Sequence, residues 1–159
     1  MFSQDFFMPY SGLPLEVVVL RMFAAMVLGG IIGFEREARD RPAGLRTHIS
    51  ISLAACLFTL IAFEMLAMPE PVDGDGRLRI DPLRLIEAVT SGVAFLAAGS
   101  IITSGGKVKG LTTGASMWLA GAIGLACGSG NLALGAIAAV LVLIVLAALR
   151  WMKHQFGWD

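Results

Sequence analysis

The stretch LEVVVLRMFAAMVLGGIIGF, residues 15–34, decides the fold. Only Glu16 and Arg21 interrupt its apolar character, and it has the length of roughly 20 residues that a helix needs to cross the hydrocarbon core of a bilayer. Backbone groups in lipid must be hydrogen-bonded within their own segment, so the stretch predicts a transmembrane helix. No Lys or Arg precedes Arg21, so the basic region of a signal peptide is missing and we expect this helix to be retained.

Four further apolar stretches follow, separated by charged segments. They cover about residues 49–67, 83–103, 111–127 and 132–151. The period-two alternation that is typical of a membrane barrel strand is absent from them. The sequence therefore predicts an all-α, polytopic membrane bundle of about five transmembrane helices, forming a single domain over residues 1–159.

The composition agrees with a membrane protein. Hydrophobic residues make up 57% of the chain and charged residues 15%, with a mean hydropathy of +0.79. Soluble proteins have about 25% charged residues, and a short chain has too much surface to hide so much apolar mass from water. A soluble monomer and a disordered chain are thereby excluded, and the lipid bilayer is the expected partner. The net charge is zero and no basic arm exists, so we expect no nucleic-acid partner.

The distribution of Lys and Arg predicts the orientation. Five crossings place eight of them on one side of the membrane and three or four on the other. The positive-inside rule makes the richer side cytoplasmic, so we expect the N-terminus outside and the C-terminus in the cytoplasm. The eight are Arg36, Arg39, Arg41, Arg46, Lys107, Lys109, Arg150 and Lys153.

Small residues recur along three of the predicted helices, often at steps of four. This spacing lets two helix backbones approach closely in lipid, where packing replaces the hydrophobic drive. We expect tight helix packing at these positions; the alternative is a polar path or a seam between copies in a homo-oligomer. The candidate packing residues are Gly29, Gly33, Gly92, Gly99, Gly110 and Gly124.

The first predicted cytoplasmic segment, residues 35–48, alternates acids and bases. One interpretation is a solvated helix end whose arginines fix the orientation. The other is a functional site, because Glu35 and Arg46 lie where two helices meet the interface and a low dielectric strengthens ion pairs there. On the second interpretation we expect Glu35→Ala and Arg46→Ala to disturb function more than Arg39→Ala or Glu37→Ala.

The remaining polar segments have structural interpretations. Asp81 before a Pro is a helix-start signal. Asp73 and Asp75 resemble a calcium loop only weakly, because the closing Glu and the full spacing are missing. The hydroxyls of Thr112, Thr113 and Ser116 could cap the fourth helix or line a cavity.

Catalysis has no motif in its favour. Cys56 and Cys127 each lie inside an apolar run, outside any spaced Cys/His motif, which is typical of small buried or lipid-facing side chains. His48 and His154 are isolated, and no Ser/His/acid set has a workable spacing. We expect no enzyme and no resident cofactor, and the residues assign no metal site.

Three motifs in the sequence resemble those of the MgtC/SapB family of membrane proteins. They are GGIIGFERE at 29–37 with AGLRTH at 43–48, DPLR at 81–84 with SG at 91–92 and FLAAG at 95–99, and VKGLTTGASMW at 108–118. The motifs occur in the family's order and span roughly residues 20–130. From them and their polar neighbours we take as candidate functional residues Glu35, Arg36, Arg46, Thr47, His48, Asp81, Arg84, Ser91, Thr112, Thr113, Ser116 and Trp118.

The resemblance implies a multi-pass protein of the bacterial inner (cytoplasmic) membrane. Members of the family are linked to growth at low magnesium and to the virulence of pathogens. The resemblance further implies a regulator of other membrane proteins, such as the ATP synthase, with Mg²⁺ as the ligand or signal. An older view of the family implies a magnesium transporter instead.

Departures from the family pattern concern the third helix and the end of the chain. Ala94 and Ala97 stand where the family has glycines, so we expect the third helix to approach its neighbour less closely. Ala88 stands in place of a glutamine, which removes a polar group from that helix. Many members carry a soluble domain after the last helix. This sequence ends at Asp159, so we expect a transmembrane domain only and carry over no function of that soluble domain.

The positions of the charges favour a regulator over a carrier or channel. Buried charge inside a membrane marks ion pathways, and a strongly hydrated divalent cation needs oxygen ligands along its route. Arg21, Glu64 and Glu87 lie within about two turns of a predicted helix end, from where long side chains reach water. No predicted helix has an acid near its midpoint. A cation (magnesium) transporter or channel remains the alternative.

Overall fold

The part of the chain that the structure describes folds into five helices and one short hairpin. The computed structural model describes residues 12–67, 81–104 and 107–157. The helices are α1 (Leu15–Glu37), α2 (Leu45–Ala67), α3 (Pro82–Gly99), α4 (Leu111–Gly128) and α5 (Leu132–Phe156). Strands β1 (Ile102–Ser104) and β2 (Lys107–Lys109) pair antiparallel between α3 and α4, with Ile102 opposite Lys109. The prediction of an all-α membrane bundle with about five helices is thereby confirmed.

Four of the described helices are long and apolar enough to cross a membrane: α1, α2, α4 and residues 132–152 of α5. The third helix is not among them; it has 18 residues and carries Arg84 and Glu87 in its first two turns. The structure contains no membrane, so the orientation with the N-terminus outside stays a prediction.

The predicted third helix was too long at its C-terminal end. We expected it to continue to about residue 103, but α3 ends at Gly99, with Ser100 as its C-cap. The Ala97 carbonyl accepts both the backbone N–H of Ser100 at 3.0 Å and the Ser100 hydroxyl at 2.7 Å, so this carbonyl at the helix end is paired. Beyond it, the β-branched residues of β1 favour an extended strand over another helical turn.

The connection between α1 and α2 is shorter than predicted, because α1 continues to Glu37 and α2 begins at Leu45. The backbone turns at Asp40, whose φ of 52° lies in the left-handed region that Asp tolerates better than most residues. Gly44 is required by close packing and not by the turn, because a Cβ there would lie 2.6 Å from Oε2 of Glu37.

The tightest packing joins α1, α2 and α4, with α3 and α5 outside them. Contacts between Glu35 and Arg150 and between His48 and Ser116 show that α1 and α5 finish where α2 and α4 begin. We call this end of the bundle the arginine-rich end. The outer faces of α3 and α5 are apolar and exposed, as at Phe95 (81% exposed) and Ile144, which is the expected character of a surface that faces lipid.

Candidate functional site

Glycines allow the backbones of α1, α2 and α4 to touch near the middle of the bundle. A Cβ built at Gly29 would lie 2.7 Å from the Cβ of Ser52, and one at Gly124 would lie 2.2 Å from the Ser52 carbonyl oxygen. Nearer the arginine-rich end, a Cβ at Gly33 would lie 2.8 Å from the Cα of Leu45. Real Cβ atoms are not found at such distances, so α2 lies as close to its neighbours as glycine permits.

A buried polar link connects α2 to α4 close to these glycines. His48 is fully buried, its Nδ1 lies 2.8 Å from the Gly44 carbonyl oxygen, and its Nε2 lies 3.0 Å from Oγ of Ser116. A carbonyl oxygen only accepts, so Nδ1 carries the proton and donates it. In the neutral ring Nε2 is therefore an acceptor for the Ser116 hydroxyl. That hydroxyl also lies 2.9 Å from the Thr113 carbonyl oxygen, so its single proton serves two acceptors.

The distance between Ser116 and His48 is also that of a nucleophile and its general base. Both side chains have at most 1% of their surface exposed, so a substrate has no access to the Ser116 hydroxyl. The pair therefore positions α2 against α4. Sequence reasoning selected both residues but did not predict their contact, because they are 68 positions apart.

Two further polar side chains at the helix contacts were not selected from the sequence. Ser52 is fully buried and its Oγ has no hydrogen-bond partner among the described residues. Arg21 of α1 donates from Nη1 to the Gly128 carbonyl oxygen at 2.8 Å. Gly128 is the last residue of α4, where free carbonyls and the helix dipole favour a cation. The position of Arg21 in the first two turns of α1 does not indicate, from the sequence, that its partner is the end of α4.

The arginine-rich end holds a cluster of four charged side chains that we call the Glu35 cluster: Glu35, Arg36, Arg39 and Arg150. Nε of Arg36 donates to Oε2 of Glu35 at 2.7 Å, and Nη2 of Arg150 donates to Oε1 at 2.8 Å. Nε of Arg39, one turn after Glu35, donates to Oε1 as well. The helical spacing predicts the Arg39 contact, whereas only the tertiary structure brings in Arg150 from α5.

Arg36 and Arg46 have opposite environments. Arg36 is 4% exposed, whereas Arg46 lies exposed in the first turn of α2 and has no side-chain hydrogen bond within the described ranges. Glu37 has a role that the sequence did not reveal: its Oε2 accepts the backbone N–H of Leu45 at 2.8 Å. It thereby caps the start of α2 in place of a residue at the N-cap itself.

The other predicted polar residues do not join these clusters. Oδ1 of Asp81 accepts the backbone N–H of Leu83 at 2.9 Å, so Asp81 caps α3 as its sequence predicts. It lies at the opposite end of the bundle from Glu35, because α3 runs antiparallel to α4, with Ala97 beside Gly114 and Val93 beside Gly121. The residues with exposed or half-exposed side chains, away from His48 and from the Glu35 cluster, are Thr47, Arg84, Ser91, Thr112 and Trp118.

Four of the six predicted packing glycines lie at close contacts, and the other two do not. Gly29, Gly33 and Gly124 lie at the contacts already described. Gly110, with a φ of 91°, precedes α4 in a conformation that favours glycine, and a Cβ there would lie 2.2 Å from the Ser100 carbonyl oxygen. Gly92 and Gly99 on α3 have no described atom within 4 Å of their Cβ positions.

The described residues contain no group of three or more His, Cys, Asp or Glu side chains arranged to hold a metal ion. Cys56 and Cys127 are buried, and both are free thiols that form no disulfide. The weak calcium-loop resemblance at Asp73 and Asp75 lies outside the described residues. A cavity of about 400 Å³ between α2 and α3 is lined by apolar and small residues such as Ala54, Phe58 and Gly92.

Comparisons with known proteins agree with this architecture. The sequence matches the MgtC family over residues 22–155. It is 39% identical over 137 residues to "Protein MgtC" of Brucella abortus, which covers 86% of this chain and 53% of the relative. It is 38% identical over 137 residues to "Putative magnesium transporter YhiD" of Escherichia coli, covering 86% and 62%.

A third relative, "Protein SapB" of Bacillus subtilis, is 34% identical over 144 residues, with 89% of this chain and 60% of the relative covered. The chain thus spans somewhat more than half the length of these curated relatives. No solved structure matches it significantly. The family match covers most of the helical bundle, and with it the Glu35 cluster and the link between His48 and Ser116. The chain is a membrane protein that belongs to the MgtC family.

Proposed function

We propose that the chain is a regulatory protein of the bacterial inner membrane that supports adaptation to low magnesium and has no enzymatic activity. It acts through contacts of its helices with other membrane proteins, such as the ATP synthase, or with further copies of itself. The family membership and the names of its relatives support the link to magnesium.

The observation that carries the proposal is the closed contact of α1, α2 and α4. Glycine lets Ser52 of α2 touch both α1 and α4. The polar side chains at this contact are neutral: the Ser52 hydroxyl, and the His48 ring held by Gly44 and Ser116. The carboxylates of the described helices lie within two turns of a helix end. Mg²⁺ requires about six oxygen ligands in octahedral geometry. The described helices offer carboxylate ligands near their ends and not at the contact of α1, α2 and α4, which favours a regulator over a magnesium pathway.

The outer face of α3 suits a partner helix. Gly99 and Gly92, which also borders the cavity between α2 and α3, leave open space there, and Phe95 between them is largely exposed. Small residues next to a large apolar one allow a second helix to approach closely in lipid.

A cation transporter is the second candidate, because one relative carries the name "Putative magnesium transporter YhiD". Purified chain in proteoliposomes with an internal Mg²⁺ indicator separates the two functions. The regulatory role predicts no flux above empty vesicles. Magnesium flux that Glu35→Gln or Asp81→Asn abolishes would establish transport instead.

Complementation of growth at low magnesium tests the regulatory role directly. The host strain lacks its own MgtC-family gene. We expect Gly92→Phe to abolish complementation, because the added ring blocks the open face of α3. Val145→Phe, which adds similar bulk to the exposed face of α5, is the matched control and should complement. Full complementation by Gly92→Phe would contradict a role of α3 in partner contact.

A further inference from the structure

The Glu35 cluster carries more positive charge than its own carboxylate neutralises. Arg36, Arg39 and Arg150 all donate to the two oxygens of Glu35. Three cations against one anion leave the cluster with an excess of two positive charges. Glu35 and Arg36 are largely shielded from water, with side chains 14% and 5% exposed, whereas Arg39 and Arg150 are 32% and 44% exposed. Like charges that are partly buried are screened less than charges in open solvent.

Each of the three arginines uses only a fraction of its donors. Within the described ranges, Arg36 and Arg39 donate only from Nε, and Arg150 donates only from Nη2. A guanidinium group has five N–H donors in a planar fork that matches the oxygens of carboxylates and phosphates. Arg36 is 4% exposed as a residue, and its terminal amino groups make no hydrogen bond among the described residues. They are not among the fully buried unpaired atoms there, so they reach the surface, where a further acceptor can meet them.

Exposed aromatic residues adjoin the cluster in sequence on both α1 and α5, as expected at a membrane interface. Phe34 and Trp151 adjoin Glu35 and Arg150 in sequence, and each has more than 60% of its surface exposed. Aromatic residues of this kind are enriched where the acyl region meets the headgroups. One turn further into the bundle, Ile31 of α1 and the aliphatic face of α5 are exposed as well.

We propose that the Glu35 cluster binds the phosphate of an anionic phospholipid headgroup. The terminal amino groups of Arg36, Arg39 and Arg150 donate to the phosphate oxygens, and the acyl chains lie along the exposed apolar faces of α1 and α5. Basic pockets between transmembrane helices are a recurrent way to hold anionic lipids. Glu35 positions the three guanidinium groups, and the lipid phosphate supplies the negative charge that the cluster lacks. This inference is independent of the proposed regulatory role.

The test uses the whole chain purified in detergent, with lipid binding followed by native mass spectrometry. Three probes separate the sources of the anion: phosphatidylglycerol, phosphatidylcholine of the same acyl chains, and inorganic phosphate. We expect phosphatidylglycerol to bind at least about tenfold more tightly than phosphatidylcholine, with a strong dependence on salt. Inorganic phosphate at millimolar concentration should displace little lipid. Equal binding of the two lipids would overturn the proposal, and complete displacement by inorganic phosphate would overturn the lipid as its ligand.

Variants assign the binding to the cluster. The double variant Arg39→Gln/Arg150→Gln should weaken phosphatidylglycerol binding by about tenfold, because two of the three charged guanidinium groups are lost. Arg41→Gln removes an exposed arginine at the same end that has no contact with Glu35, and it should change binding less than about twofold. Unchanged binding in the double variant would overturn the proposal.

A second variant keeps the test informative if the double variant does not fold. Arg150 is 44% exposed at the side chain, so Arg150→Gln alone should leave the bundle intact and still weaken lipid binding by about threefold, since one of three forks is lost. Arg150→Lys, which keeps the charge but not the planar fork, should lose less affinity than Arg150→Gln. Lipid affinity that is the same for Arg150→Gln and the parent chain would count against the site.

Discussion

The α1–α2–α4 contact and the outer face of α3 use glycine in opposite ways. At the contact, Gly124 brings α4 against the backbone of α2, and an added Cβ would lie 2.2 Å from the Ser52 carbonyl oxygen. On α3, Gly92 and Gly99 have open space around their Cβ positions. The comparison teaches that glycine spacing within a helix identifies a face capable of close approach, whereas a neighbouring helix decides whether the approach takes place.

Among the variants that test this comparison, Gly124→Ala should lower the free energy of unfolding the most. The added methyl group cannot be accommodated without separating α2 from α4, so we expect the free energy of unfolding to fall by about 3 kcal/mol. Thermal or steric-trap unfolding in detergent measures it. Gly114→Ala on the same helix is the control, because its Cβ would lie 3.4 Å from Ala97, an ordinary contact. Equal stability of the two variants would refute the close packing of α2 on α4.

Ser116→Ala tests the polar link at the same contact. The change leaves Nε2 of the buried His48 without a partner, and we expect a loss of about 2 kcal/mol in the free energy of unfolding. Ser129→Ala is a matched control, since the Ser129 hydroxyl makes the same type of bond to the carbonyl three residues earlier but is exposed. A loss for Ser129→Ala as large as that for Ser116→Ala would mean that the bond to His48 contributes nothing.

Glu37→Ala examines the arginine-rich end. It removes the acceptor for the Leu45 N–H, and we expect a loss of about 1 kcal/mol, as for other helix caps. Arg46→Ala removes an exposed side chain in the first turn of α2 and should change the free energy of unfolding by less than about 0.5 kcal/mol. Chemical unfolding of both variants decides the order. This order differs from the ranking that the sequence favours for function, so growth complementation with the same two variants separates stability from activity.

Gly92→Ala should have the smallest effect and the opposite sign. With nothing near its Cβ position, the alanine gains helix propensity, and we expect the free energy of unfolding to rise by about 0.5 kcal/mol. The same unfolding assay applies, with Gly99→Ala as its companion. A loss of stability that depends on protein concentration would reveal a second copy packed on this face of α3.

Much of the fold could be predicted from the sequence because lipid imposes a simple rule. Apolar stretches of sufficient length must become helices there, and four of the five predicted segments are long and apolar enough in the structure. The end of α3 was missed because residues 101–103 are apolar enough to extend a membrane helix, yet they are also β-branched. That hydropathy pattern contains no information on the hairpin that follows.

The candidate site could be predicted only in part. The charges around Glu35 are local in sequence, so the pair with Arg39 follows from helical spacing. The contact with Arg150 spans 115 positions, and no pattern within either segment encodes it. The same holds for Arg21 and its bond to Gly128, which joins α1 to the end of α4.

The sequence by itself determined the membrane class, the number of helices, the family and the gathering of arginines between particular helices, because hydropathy, charge and short motifs are local properties. Only the tertiary structure decided which glycines are contacts, which histidine nitrogen meets which hydroxyl, and that three arginines share one carboxylate. These depend on how separate helices pack side by side, and packing is set by shape and hydrogen bonding between residues far apart in the chain.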